Sequence, residues 1–153
     1  MKLIFKCLTA ISTIAFVAGC NTSKKSAGDN TEVMTRTPLR GIYWRLTTLL
    51  GQPIIETTKS REAFLNFSPD GKSVGGNGGC NAFRGSYDVT DSSHLSFGPI
   101  MSTKMYCEDA KFENTFFKIL DRTDNYLISG DTLFLRNAEM DSTAKFVADY
   151  FKK

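Results

Sequence analysis

Between residues 75 and 85 glycine occurs five times, in Gly75-Gly76-Asn77-Gly78-Gly79-Cys80-Asn81-Ala82-Phe83-Arg84-Gly85. A phosphate cradle built from such a stretch would need a helix directly behind it, with its N-terminus aimed at the anion, and a Lys-Ser/Thr pair in the loop. Neither follows. Phe83 to Val89 alternates apolar and polar residues as a strand does. Glycines between strands mark bulges and close backbone approach, so nucleotide binding is set aside and the block reads as a place where strands turn and pack tightly.

The flanking sequence has the same character. Leu39 to Leu49 is rich in β-branched and aromatic residues and breaks at Gly51-Gln52-Pro53, which predicts a strand and a turn, with Trp44 in the core. Ala63 to Phe67 predicts a second strand. Ser68-Pro69-Asp70-Gly71 then supplies the fixed φ and the positive φ of a tight turn, and Lys72 to Gly76 returns as the partner. Leu95-Ser96-Phe97 and Ile100 to Met105 are short strand candidates. From Glu108 to Leu120 the period changes: Phe112, Phe116, Phe117 and Leu120 recur at helical spacing, and Glu108 and Asp109 stand early, where the helix dipole favours acids. A helix is therefore expected over about 108–121, with Phe112, Phe116 and Leu120 as its core face. Tyr126 to Ser129, Thr132 to Arg136 and Lys145 to Tyr150 complete a set of short strands, the first two joined by a turn at Gly130-Asp131. The expected class is mainly β (α+β) with one helix, and these patterns do not separate a barrel from a sandwich.

The beginning of the chain is organised differently. Lys2 and Lys6 are followed by an apolar run from Leu8 to Val17, interrupted by Thr9, Ser12 and Thr13, and then by Ala18 and Gly19. That is the layout of a secretory signal peptide, and the run is shorter than the roughly twenty residues a spanning helix needs. Val17-Ala18-Gly19-Cys20 resembles the lipobox of bacterial lipoproteins. The resemblance implies cleavage before Cys20 and lipid on its thiol; two or more acyl chains anchor stably where one binds marginally. The polar, Ser/Thr/Lys-rich stretch from Asn21 to Thr37 reads as a flexible tether. The domain plan expected is 1–19 signal peptide, 20–37 lipidated cysteine and tether, and 38–153 folded domain. In enteric-type sorting an Asp after the lipid cysteine retains a lipoprotein at the inner membrane, so Asn21 points to the outer membrane of a host with two. Either face of it, periplasmic or cell-surface, fits this reading.

This reading reorders the bulk numbers. Of 19 basic and 16 acidic side chains, Lys2 and Lys6 depart with the leader, which leaves a nearly balanced chain. The clustered positive excess of a nucleic-acid binder is absent. Of the four cysteines, Cys7 leaves and Cys20 is lipidated, so Cys80 and Cys107 remain in an oxidising compartment. A disulfide between them is the leading reading, contributing about 3–4 kcal/mol by loop closure. Two buried thiols are the alternative. A redox pair would favour a short Cys-x-x-Cys spacing, which these two lack.

Several ordered blocks resemble the META domain of HslJ-like bacterial lipoproteins. They are Gly41-Ile42-Tyr43-Trp44-Arg45-Leu46, Gly79-Cys80-Asn81-Ala82-Phe83-Arg84-Gly85-Ser86-Tyr87, Leu95-Ser96-Phe97, Thr103-Lys104-Met105-Tyr106-Cys107 and Gly130 to Leu135. The resemblance covers nearly all of residues 39–149. Tyr106 departs from the small residue usual before the second cysteine. The resemblance implies a small antiparallel β-barrel-like fold with one helix, no established enzyme activity or cofactor, and an association with heat-shock expression, stress and novobiocin tolerance, secretion and virulence.

No catalytic constellation is legible. His94 is the only histidine, so a multi-histidine metal site is excluded, and in Asp91-Ser92-Ser93-His94 it reads as a solvated turn residue. A site of Cys80, Cys107 and His94 would lack a fourth ligand and need reduced thiols. Glu108 and Asp109, adjacent at a helix start, make a poor general acid/base pair. Asn81, Arg84, Tyr87, Thr103 and Lys104, the polar residues of the matching blocks, are the candidate recognition surface; alternatively Asn81 and Tyr87 satisfy backbone groups around the glycine turn. Three functions are in play. One is a non-catalytic envelope lipoprotein, monomeric and held to a membrane through Cys20, that contacts a protein or small molecule. Another is an inhibitor of a secreted hydrolase such as a lysozyme or protease. The third is a thiol oxidoreductase.

Overall fold

The computed structural model describes residues 37–55, 62–108 and 110–152, with the side chains of residues 140–142 left aside. The signal peptide, Cys20 and nearly all of the tether lie outside the described residues, as does Asp109. The strands are β1 (Tyr43–Leu49), β2 (Gln52–Pro53), β3 (Phe64–Phe67), β4 (Ser73–Asn77), β5 (Ala82–Val89), β6 (Leu95–Ser102), β7 (Asn125–Ser129), β8 (Thr132–Asn137) and β9 (Met140–Asp149), and helix α1 (Ala110–Arg122) joins β6 to β7. They form one antiparallel sheet ordered β6-β5-β4-β3-β1-β9-β8-β7, with β2 folded back on β1. Among the described residues no helix is long and apolar enough to cross a membrane.

Alternation decides which face of each strand is buried. Along β1, Trp44 and Leu46 point inward, and then the pairing with β9 shifts between Leu46 and Thr48. That bulge moves the inward position from Thr48 to Leu49, so an apolar side chain and not a hydroxyl fills the core. Trp44 is fully buried, and its indole Nε1 donates to the Leu39 carbonyl at 2.9 Å. Leu65 and Phe67 of β3, Val74 of β4, Phe83 and Tyr87 of β5, Leu133 and Leu135 of β8 and Phe146 of β9 complete the inner face.

The sheet curls until its two end strands meet. His94 and Asn125 form a single antiparallel bridge, flanked by Tyr126 N–H to Ser93 O at 2.7 Å and Leu95 N–H to Asp124 O at 3.2 Å. The result is a half-barrel, with α1 packed on the concave side. Phe116 of the helix meets Phe83 of β5 and Phe146 of β9 at ring-centroid distances of 5.9 and 6.4 Å. The mainly β class with one helix expected from the patterns, and the barrel-like form that the resemblance implies, are the observed ones.

The boundaries differ from expectation in instructive places. The two strand candidates at 95–97 and 100–105 are one strand, Leu95–Ser102, with a bulge where Gly85 to Tyr87 of β5 faces it. Thr103 to Cys107 leave the sheet, because side chains elsewhere take their hydrogen bonds. The helix begins at Ala110, two residues late, so Glu108 is an exposed turn residue and no part of its first turn. Its buried face is Glu113, Phe116, Ile119 and Leu120, and Phe112 is only partly buried. β9 starts at Met140, well before Lys145, and the break at Gln52-Pro53 pairs briefly with β1.

Candidate functional site

The glycine block and the helix come together through a close approach. Gly79 has φ +107, a region that L side chains rarely adopt, and a Cβ there would sit 2.7 Å from the Phe112 ring. A Cβ on Gly78 would sit 2.9 Å from a carboxylate oxygen of Glu113. Two bare positions therefore let the first turns of α1 lie directly on the β4–β5 turn. Asn77 holds that turn from within, its side chain accepting from Gly79 N–H at 2.8 Å.

Glu113 is the centre of the arrangement. Only 7% exposed, it accepts from the Asn81 backbone N–H at 2.6 Å through Oε1 and from Asn81 Nδ2 at 2.7 Å through Oε2. With its amide so oriented, Asn81 (4% exposed) presents Oδ1 to the segment leaving β6. That oxygen accepts from Thr103 Oγ1 at 2.8 Å and from Met105 N–H at 2.7 Å. Asn81 Nδ2 also lies 3.3 Å from Cys107 Sγ. Cys80 and Cys107 are joined by a disulfide, with Cα atoms 6.2 Å apart. Thr103 N–H closes the base of the loop on Ala82 O at 3.0 Å. Helix, glycine turn and disulfide thus grip one short loop, Thr103 to Cys107, from behind.

The Thr103 and Cys107 side chains belong to the grip, and those of Lys104, Met105 and Tyr106 between them are exposed. Tyr106 is 93% exposed and Met105 54%, and Lys104 is exposed as well. Met101, near the end of β6 and just before the loop in sequence, is 72% exposed. Its register partner across the sheet is Arg84 of β5, also exposed, so the two share the outer face.

The proposed recognition residues therefore divide. Thr103, Lys104 and Arg84 lie at the surface near the disulfide. Asn81 is inside, bracing the loop. Tyr87 is buried at the other end of β5, where its hydroxyl accepts from Arg40 Nε at 3.0 Å and donates to Ser68 O at 3.4 Å. Asn81 and Tyr87 do not belong to an exposed surface, and the glycine turn itself is held by Asn77. Glu113 escaped the sequence reading although a signal was present: it stands at position i when Phe116, Phe117 and Leu120 stand at i+3, i+4 and i+7, squarely on the apolar stripe. An acid there needs partners, and Asn81 supplies them.

Elsewhere the polar groups serve the fold. His94 is exposed, and Asp91 accepts from Ser93 N–H and His94 N–H at 2.8 and 2.7 Å, which hold its carboxyl below the usual carboxylate range. A surface cluster joins the two ends of the domain's chain: Glu62 accepts from Tyr43 at 2.6 Å and from Lys152 at 2.7 Å. Partial burial raises the Glu62 carboxyl, but the bonds from Lys152 and Tyr43 outweigh it and hold the group below its ordinary value. Among the described residues no group of three or more His, Cys, Asp or Glu gathers where it could hold a metal. A shallow depression on the helix is lined by Asn114, Phe117, Lys118 and Asp121.

Comparison with known proteins gives a consistent result. A family model described as the META domain matches residues 37–150. Two solved structures resemble the fold. A protein from Burkholderia xenovorans, solved by NMR, is 22% identical with a TM-score of 0.59, over 73% of this chain and 84% of that one. A second NMR structure is 19% identical with a TM-score of 0.56, over 71% and 90%. At such identities the likeness is one of fold. No curated protein matches.

Proposed function

Because the chain belongs to the META domain family, we propose that it acts by binding and not by catalysis, as a monomeric, cofactor-free lipoprotein of the cell envelope. On this reading the signal peptide is removed, lipid on Cys20 holds the protein to a membrane (the outer one where the host has two), and residues 38–153 work there in envelope maintenance or in stress and antibiotic tolerance. One observation carries the non-catalytic part. The acid, amide and hydroxyl brought together around the disulfide, Glu113, Asn81 and Thr103, bond to one another and to backbone. A general acid or base needs a substrate proton within hydrogen-bond reach, and here the lone pairs face inward.

The test uses the producing cell. An alkyne fatty acid should label the wild-type chain and fail to label Cys20→Ala. Deleting the gene should raise sensitivity to novobiocin, heat or detergent, and wild type but not Cys20→Ala should restore tolerance. Absence of label removes the lipoprotein reading, and an unchanged deletion strain removes the tolerance reading. The second reading, inhibition of a secreted hydrolase, is favoured by the exposed loop braced from behind. Failure of the purified domain to slow any wall hydrolase or protease removes it.

A further inference from the structure

We propose that the loop Thr103 to Cys107 is the surface with which this domain grips a protein partner, and that the partner offers an apolar hollow rimmed by carboxylates. The proposal rests on the binding reading above and names its contact surface and the chemistry it fits.

The first argument is preorganisation. A five-residue loop tied at Cys107 by a disulfide and at Thr103 and Met105 by Asn81 has little backbone freedom left to lose. Binding through it avoids much of the ordering cost that a free loop incurs. The second is what the loop displays. Tyr106 and Met105 are exposed, as is Met101 near the end of β6, and the Tyr106 hydroxyl has no partner among the described residues. Tyrosine and methionine are enriched at the centres of protein interfaces, and tyrosine adds large contact area with few torsions to fix. The third is charge. Lys104 and Arg84 border this apolar tip and form no ion pair among the described residues, while the acid that follows the disulfide, Glu108, is itself engaged. Two unpaired cations around an apolar projection complement an acid-rimmed hollow.

Photocrosslinking of the full chain in the envelope of the producing cell tests this. Benzoylphenylalanine replaces Tyr106 in one variant and Leu127, a partly exposed residue of β7, in another. The expected result is a discrete protein adduct from position 106, about tenfold weaker from 127. Arg84→Glu with Lys104→Glu, both on the surface, should reduce the adduct about tenfold, and high salt should reduce it too. Phospholipid adducts at 106, equal protein adducts at both positions, indifference to charge reversal, or no adduct at all would each overturn the proposal. Fatty-acid labelling in the same cells keeps the two readings apart: label without a position-106 adduct sinks the loop and leaves the lipoprotein, whereas an adduct without label does the reverse.

Discussion

Glu113→Gln isolates the interaction on which the loop depends. The change keeps the side chain's shape and removes its charge, and the geometry leaves the amide no good orientation. Both carboxylate oxygens accept from N–H groups, Asn81 N–H at 2.6 Å and Asn81 Nδ2 at 2.7 Å. An amide has one oxygen, so one of the two contacts becomes donor against donor. Hydrogen bonds to a charged group contribute about 1.5–3 kcal/mol each and a neutral one about 1 kcal/mol. Replacing two of the former by one of the latter costs about 2–5 kcal/mol, and for a domain of this size that lowers Tm by roughly 8–20 °C. Urea unfolding should show the loss as a lower midpoint with an unchanged slope. Glu139→Gln, in the exposed β8–β9 turn, is the control and should stay within about 0.5 kcal/mol. If Glu113→Gln is no worse than that control, the carboxylate is not the anchor that the distances make it, and the account of the loop fails with it.

Three further outcomes are expected of the same domain. Cys80→Ser with Cys107→Ser should lower stability by about 3–4 kcal/mol, the closure entropy of a loop spanning 27 residues in sequence, while wild type shows no thiol–disulfide turnover in an insulin reduction assay; measurable turnover would revive the oxidoreductase reading. Gly79→Ala, which sets a Cβ 2.7 Å from Phe112 at a positive φ, should cost about 2–4 kcal/mol by denaturant titration, and an unaltered midpoint would mean the turn and helix are not in contact. The Glu62 carboxyl is held below its ordinary value, so its share of stability is present above the unfolded-state pKa and fades as pH falls through the lower folded value; NMR titration should find it below the ordinary glutamate value in wild type and moved upward in Lys152→Ala, and no movement would break the assigned cause.

How much of this was legible varies with the range of the interaction involved. Strand positions came from alternation, which is local: Trp44, Leu65, Phe67, Phe83 and Leu133 each follow from period two and are all buried. Phe116 and Leu120 followed from period 3.6 in the same way. The end of β6 did not, because Thr103 to Met105 have no local feature that stops a strand; they leave the sheet when Asn81, 22 and 24 residues away in sequence, takes the Thr103 hydroxyl and the Met105 N–H. Closure through His94 and Asn125 depends on sheet curvature across the whole helix connection and has no short-range signature. Whether Asn81 belonged to a recognition surface or served backbone groups around the glycine turn stayed open for a related reason. A polar side chain in a glycine-rich block is placed only once its partner is known, and that partner, Glu113, sits 32 residues on.

The buried acid also bears on what the loop is for. A domain that needed only stability would do as well with an apolar pair at these positions, since desolvating a charge offsets much of what its bonds return. Polar partners have a different effect: they are satisfied in one arrangement, so they fix where Thr103 and Met105 lie. Glu113→Met with Asn81→Leu separates the two roles. Each single change strands the other partner in the interior, so the double variant should lose about 1 kcal/mol or more less than the sum of the singles. The Met105 amide, whose acceptor is gone, should nevertheless lose its hydrogen-exchange protection in the double variant. Partial recovery of stability without recovery of that amide would mark the pair as a device for holding the loop. Strict additivity of the two changes, or a Met105 amide still protected in the double variant, would mean that the disulfide and the Ala82 contact suffice to hold it and that Asn81 and Glu113 serve the core alone.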